Sequence, residues 1–239
     1  MRDGDLLGRY ERVLERLDAA CAAAGRRREE VTLVAVSKLQ PASAVAVLAA
    51  AGQKDFGENY MQEALQKRED IATLADSATT ENIRWHFTGH LQSRKTASAA
   101  GVFALLHTLD SCRLACALEH RLAPCGERQA VLVQVNLAAE PQKSGIMTEG
   151  LPALVDYIME YCPLLELRGL MCLPPVFDAG EAARPYFARL YALREDLRAR
   201  LSLPLPELSM GMSGDFAAAV AEGASLVRIG TDIFGPRLA

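Results

Sequence analysis

Apolar residues recur along the chain with two alternating periods. Residues 6–24 carry them at helical spacing up to Gly25, which predicts an amphipathic helix. From residue 31, short β-branched apolar runs alternate with stretches of helical period. Strands are predicted at 31–36, 53–56, 83–87, 102–109, 130–137, 164–171, 207–210 and 225–229. Helices are predicted at 41–51, 60–70, 91–100, 111–122, 151–161, 181–201 and 215–221, before a short tail.

This alternation favours one architecture. Repeated strand–helix units imply a parallel sheet with right-handed crossovers. Eight strands in about 200 residues fit a (β/α)₈ TIM barrel with an extra N-terminal helix, and a doubly wound open sheet is the alternative. No Pro-, Ser- or Gly-rich linker divides the chain. We therefore expect a single domain over 1–239, with the N-terminal helix in 1–25 and the barrel in 31–237.

Composition and charge exclude several classes of protein. The 239 residues are 50% apolar and 23% charged, as in soluble globular proteins and unlike disordered ones. A net charge of −4 argues against a nucleic-acid partner. No apolar run approaches the ~18 residues of a membrane span, and the N-terminus lacks a signal-peptide pattern. We expect a cytoplasmic protein with no membrane partner.

Cysteines and histidines do not form a metal-binding pattern. None of the six cysteines lies in a C-x-x-C pair, so we expect reduced thiols that pack as small apolar residues. His86 and His90 are four residues apart, but Gly89 and the strand residue Phe87 argue against a helical metal pair. We expect His86 to be hydrogen-bonded and partly buried, and we predict no metal.

Candidate chemistry follows the first two strands, since barrel active sites lie at the carboxyl ends of strands. Lys38 follows strand 31–36 in a chain whose basic residues are mostly Arg. A lysine there can lose its charge by desolvation and act as a nucleophilic amine, although a surface-loop lysine is the alternative. After the second strand, Glu58 or Asn59 is predicted to cap the next helix.

The end of the chain carries the features of a phosphate site. Residues 209–214 place two Gly and two Ser just before a helix, where backbone N–H groups and hydroxyls can hold a phosphate. Gly230 and Thr231 follow the eighth strand, and barrels often bind phosphate with these two loops. Arg228 lies inside the last strand and faces either the barrel interior or the helices. If buried, it requires a ligand nitrogen, a phosphate or a carboxylate as acceptor.

A lysine amine, a phosphate cradle and an arginine together fit an aldehyde that carries a phosphate, namely pyridoxal 5′-phosphate (PLP). In this interpretation, Lys38 forms the Schiff base and the loops 209–214 and 230–231 hold the phosphate. Arg228 lies against the pyridine nitrogen.

The sequence resembles the pyridoxal phosphate homeostasis proteins, whose barrel is similar to that of alanine racemase without its second domain. Matching segments run in order over 34–237, with a departure at Arg94, where the family usually has Asn. They are Val34 to Lys38, Phe56 to Tyr60, Trp85 to Gly89, Leu91-Gln92, Asn136 with Glu140, Lys143 and Gly145, Gly169 to Met171, Leu208 to Ser213, and Val227 to Thr231.

The resemblance implies a barrel like that of fold-type III PLP proteins, with PLP carried on Lys38. It implies a cofactor site made by Lys38, Asn59, Ser209, Met210, Ser213, Arg228, Gly230 and Thr231. It also implies an intracellular PLP carrier or buffer, with apo PLP-dependent enzymes as further partners. Lys143 matches a family lysine associated with PLP transfer or secondary binding.

Two arguments favour a carrier over an enzyme. An arginine beside the ring nitrogen disfavours its protonation and weakens the ring as an electron sink. Racemisation needs a second acid/base on the opposite face, which related barrel racemases take from another domain across a dimer. The chain ends at Ala239 without such a domain, so we expect a monomer. The alternatives are a PLP-dependent amino-acid racemase, a Schiff-base aldolase that acts on a phosphorylated sugar without PLP, and a non-catalytic interaction protein.

Overall fold

The computed structural model describes residues 3–175 and 178–235. Eight strands form a closed barrel in sequence order, and every neighbouring pair is parallel. The last strand pairs with the first, with Val34 opposite Arg228, so the (β/α)₈ prediction is confirmed and the open sheet is excluded. The strands are β1 Thr32–Val36, β2 Asp55–Glu58, β3 Arg84–Phe87, β4 Leu105–Leu109, β5 Gln129–Val135, β6 Leu165–Cys172, β7 Glu207–Ser209 and β8 Leu226–Ile229.

Helices surround the barrel, and one further helix precedes it. The α-helices are α1 Asp3–Ala23, α2 Ala42–Ala50, α3 Met61–Leu74, α4 Ser77–Glu81, α5 Cys112–Leu122, α6 Leu151–Tyr161, α7 Arg184–Leu201, α8 Phe216–Ala221 and α9 Thr231–Phe234. Short 3₁₀ helices lie at Arg28–Glu30, Ser93–Ser98, Thr148–Gly150 and Gly180–Ala183. Within these described ranges, no helix has the length and apolar character needed to span a membrane.

Two buried apolar layers hold the barrel together. The larger fills the space between the strands and the helices, including the apolar face of α1. The smaller fills the barrel interior with one side chain from each of five strands: Val34, Leu105, Leu132, Met171 and Leu226. Inward and outward side chains alternate along each strand, so this small layer identifies the positions that face inward.

Three predicted features differ in the structure. The predicted helix over 91–100 is instead a 3₁₀ helix, Ser93–Ser98, in which the Thr96 hydroxyl donates to the Ser93 carbonyl. Ser and Thr compete for backbone groups in this way and weaken α-helix formation. The short helices α4 and α9 were not predicted. Three cysteines are buried as expected, but Cys112 and Cys125 are exposed.

Candidate functional site

A cavity of about 400 Å³ opens at the carboxyl ends of the strands. It brings together six of the eight predicted site residues: Lys38, Asn59, Ser213, Arg228, Gly230 and Thr231. The wall is completed by Val36, Gln40, Thr88, Lys143, Leu173, Pro174, Met212, Gly214, Phe234 and Gly235. Residues from both ends of the chain therefore meet at one cavity.

The backbone on both sides of Lys38 is held by a buried ionic cluster. Lys67 Nζ lies 2.7 Å from the Ser37 carbonyl oxygen, 2.6 Å from Glu58 Oε1 and 2.8 Å from Glu63 Oε1. The Leu39 N–H donates to the same Glu63 oxygen. Leu39 is also held at φ +60°, in the left-handed region that side chains disfavour. The half-buried Lys38 thus extends into the cavity from a fixed turn.

Glu58 belongs to this cluster and does not cap a helix, so the capping prediction is wrong. The Glu58 side chain is fully buried and accepts the Ser37 hydroxyl at 2.6 Å. Helix α3 begins after Tyr60 without a side-chain cap. Desolvation raises the pKa of Glu58, while the charge of Lys67 opposes this rise. The cluster was not predicted from the sequence, because Lys67 is nine residues beyond Glu58, inside the predicted helix 60–70.

Asn59 is fixed at the cavity wall by the strand next to its own. The Thr88 hydroxyl donates to Asn59 Oδ1 at 3.0 Å. Gly89 allows this approach, since a Cβ at that position would lie 2.0 Å from the Asn59 carbonyl oxygen. A glycine is therefore required where β3 leaves the barrel.

The predicted phosphate loops lie beside the turn that carries Lys38. A Cβ on Gly230 would lie 3.1 Å from the Val36 carbonyl oxygen, so the loop after β8 runs close to the end of β1. Ser213 and Gly214 supply the adjoining wall. One backbone group of this loop is already used, because the Met212 N–H donates to Asp215 Oδ1 at 2.5 Å. Hydroxyl and N–H donors are thus concentrated on one side of the cavity.

Arg228 faces the barrel interior. Its guanidinium is buried and donates to Ser209 Oγ and, at 2.9 Å, to the Cys172 carbonyl oxygen. Among the described residues no carboxylate forms a salt bridge with it, contrary to one of the predicted alternatives. Burial lowers the pKa of Arg228, but a guanidinium stays charged in proteins. Arg228 therefore presents N–H donors to the cavity.

Ser209 and Met210 do not reach the cavity wall. Ser209 ends β7 and lies fully buried, with its hydroxyl also 2.8 Å from His107 Nδ1. Met210 is fully buried, and its N–H donates to the Leu226 carbonyl oxygen. The part of this loop that lines the cavity begins after Met210, so Ser209 and Met210 lie behind the wall.

The histidine prediction is confirmed for His86. It is buried, with Nε2 2.9 Å from Asp55 Oδ1 and Nδ1 2.9 Å from His107 Nε2. Within 3–175 and 178–235, no group of three or more His, Cys, Asp or Glu side chains is arranged to hold a metal. Sequence reasoning missed His107, although a histidine inside the apolar run Leu105–Leu109 is itself a sign of a buried polar contact.

Lys143 forms an ion pair and also reaches the cavity. Its ammonium pairs with Glu140 Oε1 at 2.6 Å and donates to the Pro174 carbonyl oxygen at 2.9 Å. The same side chain lines the cavity opposite β1. Lys143 is therefore the second amine at the site, held in place by a loop contact.

Comparisons with known proteins identify the family of the chain. The family described as "Alanine racemase, N-terminal domain" matches residues 13–237. The chain is 43% identical over 226 residues to the pyridoxal phosphate homeostasis protein of Pseudomonas aeruginosa. This match covers 95% of this chain and 93% of that protein. It is 40% identical over 229 residues to the protein of the same name from Aquifex aeolicus, which covers 96% and 97%.

A solved structure extends the likeness to three dimensions. PipY of Synechococcus elongatus PCC7942, solved with PLP bound, is 34% identical with a TM-score of 0.79, over 92% of this chain and 100% of that one. The sequence match covers nearly the whole chain, and the barrel is shared. The chain therefore belongs to the alanine racemase N-terminal domain family and, within it, to the pyridoxal phosphate homeostasis proteins.

Proposed function

We propose that the protein binds PLP in the barrel-mouth cavity and acts in PLP homeostasis as an intracellular carrier or buffer. The observation that carries this proposal is the meeting of Lys38, Arg228 and the donors of the 213–214 and 230–231 loops at one cavity. Curated relatives named for PLP homeostasis, and PipY with PLP bound, support it.

The residues fit the chemistry of the cofactor. PLP supplies an aldehyde that condenses reversibly with an amine, together with a phosphate and a pyridine nitrogen. Lys38 offers the amine from a fixed turn, and Ser213, Gly230 and Thr231 offer donors for the phosphate. Arg228 offers N–H donors to the ring nitrogen. About 400 Å³ lies within the usual range of small-molecule pockets.

A carrier role is favoured by the small number of ionisable groups at the cavity. In the described wall they are Lys38, Lys143 and Arg228. Arg228 donates only, so it holds the ring nitrogen unprotonated and makes the ring a poor electron sink. Lys143 is the remaining candidate acid/base, and it is engaged by Glu140 and Pro174. The relatives' names also denote homeostasis proteins.

The first experiment is the visible absorption spectrum of the purified protein before and after borohydride, with peptide mapping. We expect a yellow protein whose reduced adduct maps to Lys38. Lys38→Ala is expected to lose the colour, whereas Lys54→Ala, which removes an exposed lysine outside the cavity, keeps it. A colourless protein that takes up no added PLP would overturn the proposal and favour the aldolase.

Activity and growth separate carrier from enzyme. We expect no steady loss of optical rotation with L-alanine, whereas a racemase would produce one. A deletion strain with impaired PLP-dependent growth is expected to recover with the wild-type chain and not with Lys38→Ala. Full recovery with Lys38→Ala would show that PLP bound at Lys38 is not the working part. Apo PLP-dependent enzymes as recipients and a monomeric state complete the proposal, and light scattering tests the latter.

A further inference from the structure

A line of buried polar side chains runs from the cavity through the barrel interior. It begins at Arg228, which donates to Ser209 Oγ. Ser209 Oγ lies 2.8 Å from His107 Nδ1, and His107 Nε2 lies 2.9 Å from His86 Nδ1. His86 Nε2 then lies 2.9 Å from Asp55 Oδ1. These five residues, here called the relay, belong to five different strands or strand ends and are all buried.

Charged groups fix the two ends of the relay. Arg228 can only donate hydrogen bonds. At the far end, Asp55 also accepts from Arg84 Nη2 at 2.6 Å. Desolvation raises the pKa of Asp55, but the hydrogen bonds from His86 and Arg84 outweigh it and hold that pKa below its usual value. Asp55 is therefore ionised near neutral pH and can only accept.

With these ends, one placement of the protons gives every bond of the relay a donor and also gives the Ser209 hydroxyl proton an acceptor. Ser209 accepts from Arg228 and donates its hydroxyl proton to His107 Nδ1. His107 then donates from Nε2 to His86 Nδ1, and His86 donates from Nε2 to Asp55. In this placement both imidazoles are neutral, with the proton on Nε2, because only a neutral ring accepts at one nitrogen and donates from the other.

We propose that Ser209, His107 and His86 are positioning residues that hold Arg228 at the cavity wall and connect its charge, through neutral histidines, to Asp55 on the opposite side of the barrel. That PLP is the ligand in contact with Arg228 rests on the proposed function. The hydrogen bonds of the relay are formed by residues of this chain alone and do not require a ligand.

The relay helps to stabilise the buried charge of Arg228 without a carboxylate in direct contact with it. A buried guanidinium needs compensation, but a carboxylate in direct contact would repel a phosphate nearby. A chain of hydrogen bonds polarised from both ends provides part of that compensation at a distance. Asp215 is a further carboxylate whose charge acts on Arg228. Desolvation by burial keeps the pKa of His107 well below its usual value.

Nitrogen-15 NMR of the imidazole rings tests the relay in the protein without PLP. The chain has four histidines, so the spectrum is simple, and the exposed His120 is the reference for a ring in contact with water. We expect His86 and His107 as neutral rings protonated at Nε2 between about pH 6 and 8. A doubly protonated His86, or a His107 protonated at Nδ1, would show that the relay runs the other way and would overturn the inference.

Breaking the relay tests its effect on Arg228. Ser209→Ala removes the hydroxyl that links Arg228 to His107 with little change in volume. We expect PLP to bind about tenfold more weakly, as for loss of a hydrogen bond to a charged group. We also expect the spectrum of bound PLP to become pH-dependent, because a loosened Arg228 no longer holds the ring nitrogen as an acceptor.

Controls separate positioning from general damage. Ser209→Thr keeps the hydroxyl and is expected to bind PLP as tightly as wild type and to show the pH-independent spectrum of wild type. Ser225→Ala removes a serine with two hydrogen bonds, to Leu208 and Glu207, away from the relay and is expected to leave the pH profile unchanged. Unchanged binding and an unchanged profile in Ser209→Ala would overturn the positioning role. If wild type takes up no PLP, the proposed function fails, while the NMR experiment still decides the relay. The NMR result also decides it if the variants do not fold.

Discussion

At the residue scale, His107 couples the stability of the protein to pH. Burial holds its folded-state pKa well below the ordinary histidine value of about 6.5. Above about pH 6.5 neither state binds a proton there. Below about pH 6.5 the unfolded chain binds a proton at His107 and the folded chain does not. The free energy of unfolding therefore falls by up to about 1.4 kcal/mol for each pH unit. Urea unfolding from pH 7.5 to about 5 should show this slope in wild type and a smaller one in His107→Gln. Equal slopes would contradict it, and His120→Gln is the matched control.

Thiol reactivity is a second property of single residues. Burial raises the pKa of Cys172 to about 12 and that of Cys162 to about 11. Cys112 and Cys125 are exposed. We expect a disulfide reagent to modify these two quickly in the native protein and the buried thiols only on unfolding. Mass mapping of the modified peptides checks this, and early labelling of Cys172 would contradict it.

Some residues of the site could be predicted and others could not. Lys38, Arg228 and Thr231 follow from position, since each lies at the carboxyl end of a strand or beside it. The roles of Glu58 and His107 depend on which strands become neighbours and on which atoms then meet. A single sequence does not show these contacts, because they join residues on different strands or helices.

At the scale of elements, the exit of β3 depends on Gly89. A side chain there would overlap the Asn59 backbone. Gly89→Ala is expected to lose about 1–3 kcal/mol of stability by overpacking and to weaken PLP binding, because Asn59 must move. Urea unfolding and absorbance titration measure both effects. Gly8→Ala, in the interior of α1 with ordinary contact distances, should instead stabilise the protein by about 0.5–1 kcal/mol. Full stability and binding in Gly89→Ala would be inconsistent with this account.

Periodicity predicted the strands and long helices of this fold because burial determines both. It failed at Ser93–Ser98, where local side-chain hydrogen bonds set the helix type, and at the short helices α4 and α9. Helices of four or five residues carry too few positions for a period to be visible.

At the scale of the whole molecule, ligand binding should raise the melting temperature. At free PLP of about 100 Kd, linkage gives about 2.7 kcal/mol, or roughly 5–10 °C for a chain of this size. Thermal unfolding followed by circular dichroism should show this shift in wild type and in Lys54→Ala. In Lys38→Ala the shift should be much smaller, and an equal shift in that variant would show that binding does not depend on Lys38.

The pairing of β1 with β8 has a consequence for biosynthesis. Lys38 follows the first strand made and Thr231 the last, and the two meet only when the ring of strands closes. During translation, most of the chain must leave the ribosome before any ligand contact can form. Binding of the cofactor is therefore a late event that requires the barrel to be closed. A nascent chain arrested before β8 should remain colourless, however much PLP surrounds it.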